Sequence, residues 1–238
     1  PIPKRILSTF SSLGVNVAAS YKPTKDWTMS ATYRSKVDLD EKGTAALSAT
    51  ALTGAGPITP GDSLGNYNGD AGVVVPLPAV FTLATAYTFN ETTTVELEFD
   101  RTFWGDYNEL DFTYASGTVL GAVLTGAYDD AKPRNWNHAN AYRIGVTHVF
   151  DEKWTGMLGY AYDETGAPTD TISFELPDSD ANLYSLGVKY NYNKQMTVGL
   201  AGLYDDKKEV TTSGSNDAQG TFKNAAAYLV TLGFSYKF

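Results

Sequence analysis

Few side chains in this sequence are suited to doing chemistry, and their types and spacing narrow the possible functions at once. There is no cysteine, which excludes disulfides, thiolate nucleophiles and thiolate zinc sites. The two histidines, His138 and His148, leave little for imidazole metal ligation or proton transfer, and a reading as an enzyme finds no support. Paired acids at Asp38/Asp40, Asp129/Asp130, Asp178/Asp180 and Asp205/Asp206 offer oxygens to Ca²⁺ or to cations bridging lipopolysaccharide. None of them completes a ligand loop, so solvated loop acids are the plainer reading, and neither metal nor cofactor is expected. Three cations remain: Arg34, Arg143 and Lys189. A guanidinium or ammonium suits a carboxylate, and the competing reading is that these groups pair with Glu96, Glu98 or Asp100. With 18 Lys and Arg against 27 Asp and Glu, the formal charge is −9, which argues against nucleic acid as a partner.

The elements that carry these groups are legible from alternation. At the end of the chain Tyr228, Val230, Leu232, Phe234, Tyr236 and Phe238 alternate with mostly small or polar residues. A strict period of two marks a strand whose two faces meet different surroundings. The same pattern recurs upstream and predicts nine strands, at about 13–22, 27–39, 78–89, 94–104, 139–150, 154–164, 182–192, 196–206 and 225–238. Most of these exceed the roughly 5–6 residues usual in soluble sheets and match the roughly 9–11 of a tilted membrane strand. Connections alternate between tight (23–26, 90–93, 151–153, 193–195) and long (40–77, 105–138, 165–181, 207–224), the outer-membrane barrel pattern. Tyr21, Trp27, Phe89, Phe150, Trp154 and Tyr192 flank the short turns, where an interfacial ring is half buried. No apolar run is long enough for a membrane-spanning helix, and mean hydropathy is −0.25, but a barrel hides its lipid face in every second residue.

The fold class expected is therefore all-β, an antiparallel transmembrane β-barrel, in preference to a soluble sandwich. The greasy alternate set points into lipid. The other set, with Gly14, Gly145, Gly159, Gly187, Gly199 and Gly233, lines a roomy lumen. That lumen also holds Arg34, Lys36, Arg143, Lys189, Glu96, Glu98, Asp100, Asp163 and Asp205. Such charges are costly in a dry core but acceptable in a hydrated or plugged one.

Specific strings match a family. ATYRSKVDLD (31–40), PLPAVFTLATAYTF (76–89), FWGDYNELDF (103–112), PRNWNHANAYRIGVTHVF (133–150), WTGMLGYAYDE (154–164), LPDSDANLYSLGVKYNYN (176–193) and GTFKNAAAYLVTLGFSYKF (220–238) occur in family order. On these the chain resembles the C-terminal part of FadL/TodX-type outer-membrane transporters of long-chain fatty acids and other hydrophobic compounds. The resemblance implies a monomeric barrel of fourteen strands with an N-terminal hatch. The 238 residues then read as a single barrel domain of about nine strands, a fragment without the hatch and first strands.

The resemblance also implies roles. Passive, energy-independent uptake of a fatty acid or another hydrophobic small molecule is expected, from outer loops to an interior site and then sideways into the membrane. Lumen-facing Arg143, Arg34 and Lys189 would meet a carboxylate. In the loop 40–77, Leu47, Leu52 and Ile58 would line a capture groove, against the plainer reading of a flexible Gly/Ala/Ser/Thr loop. Phe234, Tyr236 and Phe238 would form the signal read by the barrel-assembly machinery. Outer-membrane lipid and lipopolysaccharide are the surrounding partners. The competing functions are a structural or adhesive barrel and a general porin.

Overall fold

A computed structural model of the chain describes residues 12–51, 59–115, 124–174, 176–213 and 218–238. The strands, in chain order, are β1 (Asn16–Thr24), β2 (Trp27–Arg34), β3 (Val37–Thr50), β4 (Ser63–Leu77), β5 (Val80–Phe89), β6 (Thr93–Thr102), β7 (Glu109–Leu110), β8 (Phe112–Tyr114), β9 (Lys132–Pro133), β10 (Ala139–Val149), β11 (Trp154–Asp163), β12 (Ala181–Asn191), β13 (Met196–Lys207), β14 (Val210–Thr211), β15 (Thr221–Phe222) and β16 (Ala226–Tyr236). A 3-10 turn at Trp104–Asp106 and a π-turn at Thr125–Asp129 are the helical pieces among the described residues. They form two compact units.

The larger unit, residues 15–35, 79–105 and 136–238, is built on a nine-stranded sheet in the order β1-β2-β5-β6-β10-β11-β12-β13-β16. Every neighbouring pair in it is antiparallel. These nine strands are the ones predicted from alternation, and together they make the wall of a partial barrel. The short β14–β15 pair belongs to the same unit.

Side-chain contacts at the turns explain the tight connections. Asp151 Oδ1 accepts hydrogen bonds from the backbone N–H of Lys153 (2.7 Å) and of Trp154 (2.8 Å). Asn193 Oδ1 does the same for Gln195 (2.9 Å) and Met196 (2.8 Å). In both turns a short polar side chain substitutes for ladder partners that the reversing backbone lacks. Between β5 and β6 the reversal instead uses two successive residues at positive φ, Asn90 (50°) and Glu91 (61°).

The register sorts the sheet into two faces. One direct row runs Tyr21, Met29, Thr85, Leu97, Ile144, Tyr160, Tyr184, Tyr204, Tyr228 across nine strands. The next row toward the short turns runs Tyr87, Val95, Val146, Leu158, Leu186, Gly202, Val230 from β5 to β16. This face is apolar and uncovered: Leu158 is 61% exposed, Leu186 65% and Leu232 75%. A contiguous apolar surface of this extent is untenable in water and is what lipid requires. Tyr160, Tyr184, Tyr204 and Tyr228 form a ladder of rings with centroids 5.4, 6.4 and 4.8 Å apart, near the long connections. Trp154 and Tyr190 pair at 4.5 Å near the short turns. Six residues separate Tyr160 from Trp154, roughly 20 Å along a strand, so two aromatic belts bracket an aliphatic band.

The second unit comprises residues 12–14, 36–78 and 106–135 among those described. Its main feature is the β3–β4 hairpin, paired from Val37↔Leu77 to Thr50↔Ser63, with β8 added to β4 and a separate β7–β9 pair. Two expectations change here. The strand predicted over 27–39 ends at Arg34, because Ser35 closes the β1–β2 pair: its N–H donates to the Val15 carbonyl (2.8 Å) and its Oγ accepts from the Val15 N–H (2.9 Å). From Val37 the chain starts a new hairpin. In the segment 40–77, for which a flexible loop is the plainer reading from sequence, residues 40–50 and 63–77 pair in that hairpin, whose ladder satisfies their backbone groups.

Candidate functional site

The polar face of the nine-stranded sheet is the candidate site. Each of its residues is placed by strand register, which puts directly paired residues on one face. Its middle rows are Thr28, Ala86, Glu96, Gly145, Gly159, Ser185, Leu203 and Ser30, Ala84, Glu98, Arg143, Ala161, Leu183, Asp205. The next row toward the long connections is Thr32, Thr82, Asp100, Ala141, Asp163, Ala181, Lys207. Small residues leave an open trough of about 490 Å³ over this surface, lined by Thr28, Ala84, Glu96, Arg143, Gly145 and Ser185 among others. A second, of about 570 Å³, reaches Arg34 and Thr32.

All three predicted cations lie on this face, and they are not together. Arg143 sits in a middle row directly opposite Glu98, and its guanidinium Nη1 is 2.9 Å from Glu98 Oε1 and also bonded to Asp100. The other oxygen of Asp100 accepts the Thr82 hydroxyl at 2.5 Å. Arg34 lies at the long-connection end, in register with Asn16 and Val80, and Lys189 at the short-turn end, in register with Thr155 and Gly199. Leu47 is in β3 opposite Tyr67 in the smaller unit, half-buried, and Tyr67 packs edge-on against Tyr114 with centroids 5.1 Å apart. Leu52 and Ile58 lie outside the described residues. Phe234 and Tyr236 stand on the apolar face opposite Val198 and Met196, and Phe238 is fully exposed.

Two of the four acid pairs resolve into ion pairs. Asp38 lies 3.2 Å from Lys36, and Asp40 lies 2.9 Å from Lys42. Asp178 and Asp180, read from sequence as solvated, form a clamp over the end of β11, β12 and β13. Lys207 Nζ is 2.7 Å from Asp178 Oδ1, and Lys208 Nζ is 3.4 Å from Asp180 Oδ2. The Tyr162 hydroxyl donates to Asp180 Oδ2 (2.6 Å), the Thr165 N–H to Asp180 Oδ1 (3.0 Å), and the Thr165 hydroxyl to Asp178 Oδ2 (2.7 Å). Burial alone would raise the Asp180 carboxyl, but the bonds from Tyr162 and Thr165 and the Lys208 ammonium outweigh it and hold it below its ordinary value. The clamp was hidden in the sequence because its partners lie in three segments. Its one visible signal was LPDSD just ahead of an aromatic strand. Among the described residues no group of three or more His, Asp or Glu is arranged to hold a metal ion. His148 is on the apolar face, its Nδ1 2.8 Å from Thr93 Oγ1, and His138 Nδ1 accepts the Gly105 N–H at 3.2 Å.

An antiparallel sheet with one lipid-facing side, two aromatic belts, short turns at one end and a polar, hollowed opposite side defines an integral outer-membrane β-barrel protein. The chain belongs to the outer membrane protein transport protein family (OMPP1/FadL/TodX), whose pattern matches residues 6–238. It is 26% identical over 229 residues to the long-chain fatty acid transport protein of Escherichia coli strain K12, covering 94% of this chain and 48% of that protein. It is 27% identical over 237 residues to outer membrane protein P1 of Haemophilus influenzae, covering 94% of this chain and 47% of the relative. The chain thus spans about half the length of these relatives. The crystal structure of the Pseudomonas putida toluene transporter TodX shares the fold with a TM-score of 0.65 at 21% identity, over 94% of this chain and 49% of that one. A Pseudomonas aeruginosa FadL homologue gives 0.63 at 14% identity, over 94% and 67%.

Proposed function

We propose that this chain is part of an outer-membrane route for passive uptake of hydrophobic compounds. The observation that carries the reading is the two-faced sheet itself: a lipid-facing apolar side backed by a hollowed face of small and polar residues, in a chain of this family. An apolar solute gains little from a plain water-filled pore. It needs contiguous apolar surface past the polysaccharide layer, a protected binding space and release into the bilayer. In this proposal Leu47, with Leu52 and Ile58, contributes to capture on the outer side. Arg34 and Lys189 face the ligand's polar end, and Arg143 lines the same space while held by Glu98 and Asp100, within a single barrel domain that acts as a monomer. Phe234, Tyr236 and Phe238 present the terminal strand to the assembly machinery, and lipopolysaccharide surrounds the outer belt. The chain performs no catalysis in this scheme.

Uptake of a radiolabelled hydrophobic compound by a Gram-negative strain lacking its own transporter tests the proposal. Accumulation above that of the empty strain is expected from the full-length protein. No accumulation from folded, membrane-inserted protein refutes it. Planar-bilayer conductance separates it from a porin: steady ion current through open channels would favour the porin reading.

A further inference from the structure

We infer that the wall selects uncharged hydrophobic compounds over carboxylates, because Glu98 and Asp100 occupy the guanidinium of Arg143. The inference rests on the transport proposal and names its substrate class. Arg143 is the one cation in the two middle rows of the polar face among the described residues, and it is directly opposite Glu98. Asp100 is two residues on along β6, on the same face, so both carboxylates converge on one guanidinium. The three rows around it hold five acids, Glu96, Glu98, Asp100, Asp163 and Asp205, against two cations, Arg143 and Lys207. Lys207 is itself held 2.7 Å from Asp178. One oxygen of Asp205 is buried and has no hydrogen-bond partner.

A carboxylate entering from the long-connection end meets Arg34 first. Beyond it the wall presents acids in excess, and the arginine that would receive the anion already has two anionic partners. Confined between low-dielectric walls, like charges repel more strongly than in water, so the ligand would have to be protonated or excluded. A hydroxyl or bare hydrocarbon carries no such penalty, and it can lie against Gly145, where an added Cβ would stand 3.7 Å from its nearest neighbour, Glu96 Oε2.

Uptake of radiolabelled dodecanol and laurate, which have equal chain lengths, gives the test. The strain lacks its own transporter, and rates are taken per folded barrel, counted by heat-modifiable gel mobility. The natural protein is expected to accumulate dodecanol about tenfold faster than laurate, and Glu98→Gln with Asp100→Asn to raise the laurate-to-dodecanol ratio about fivefold or more. Laurate uptake equal to or faster than dodecanol in the natural protein overturns the inference and leaves the transport reading standing, as does an unchanged ratio in the double variant. Uptake of neither compound overturns both. Should the double variant not fold, the single variants Glu98→Gln and Asp100→Asn decide: a rise of about twofold or more in the laurate-to-dodecanol ratio in either supports the inference, and a smaller change in both overturns it.

Discussion

Asp151 and Asn193 occupy the same place in two different turns and use the same oxygen for the same two backbone N–H groups. Replacing either with alanine removes the one acceptor and both of its hydrogen bonds while leaving the strands intact. We expect each change to cost about 1 kcal/mol, measured by urea unfolding of the protein refolded into lipid vesicles. Glu91 points the other way. It holds φ at 61°, a conformation that side chains with a Cβ resist, and Lys25, 3.1 Å away, is an exposed partner that contributes little. Glu91→Gly should therefore stabilise by about 1 kcal/mol in the same assay. Asp180 supplies a pH dependence. Its folded carboxyl titrates below the ordinary value of 3.8, so its stabilising effect is complete above that value and is lost as pH falls through the lowered one. Hydrogen exchange across 164–181 should accelerate on acidification through that range, and Asp180→Asn should abolish the step.

Among the elements, the wall strands show what alternation can specify. Leu186 and Ser185 are neighbours in β12, but the first points to lipid and the second into the trough. Leu186→Lys should cost about 2–4 kcal/mol in a bilayer, and Ser185→Lys far less, by the same unfolding measurement. Sequence disclosed these nine strands because lipid on one side and a hydrated space on the other force the two sets of residues apart. It did not disclose β3 and β4. Their far ends are filled mainly by Ala, Gly, Thr, Ser and Asn, types that loops also favour, and these dilute the alternation that Val37, Leu39 and Leu47 keep against Asp38, Asp40 and Ser48. The hairpin also depends on a contact that composition cannot show. Gly65, at φ 152°, lies where an added Cβ would stand 3.0 Å from Leu124, whose side chain is fully buried. Gly65→Val should loosen this packing, and limited proteolysis between 59 and 78 should then proceed faster than in the natural protein.

At the level of the whole molecule, the sequence placed Arg34, Arg143 and Lys189 on the polar face and named Glu96, Glu98 and Asp100 as the acids available to them, but not which acid meets which cation; the structure gives both Glu98 and Asp100 to Arg143. Pairing depends on how β6 and β10 align, and they are joined through residues 103–138, a stretch too long for its turn chemistry to set a register. Only the folded ladder puts Arg143 against Glu98. The same limit hid the Asp178/Asp180 clamp, whose lysines come from the end of a different strand.

The order of the large sheet has one more consequence. Nine successive antiparallel neighbours leave the first and last, β1 and β16, pointing the same way. Joined directly they would meet side by side in parallel, breaking the alternation kept everywhere else. A ring that keeps the up-and-down rule must therefore interpose an odd number of further staves between these borders. The five that a fourteen-membered ring would add satisfy that arithmetic; four or six would not.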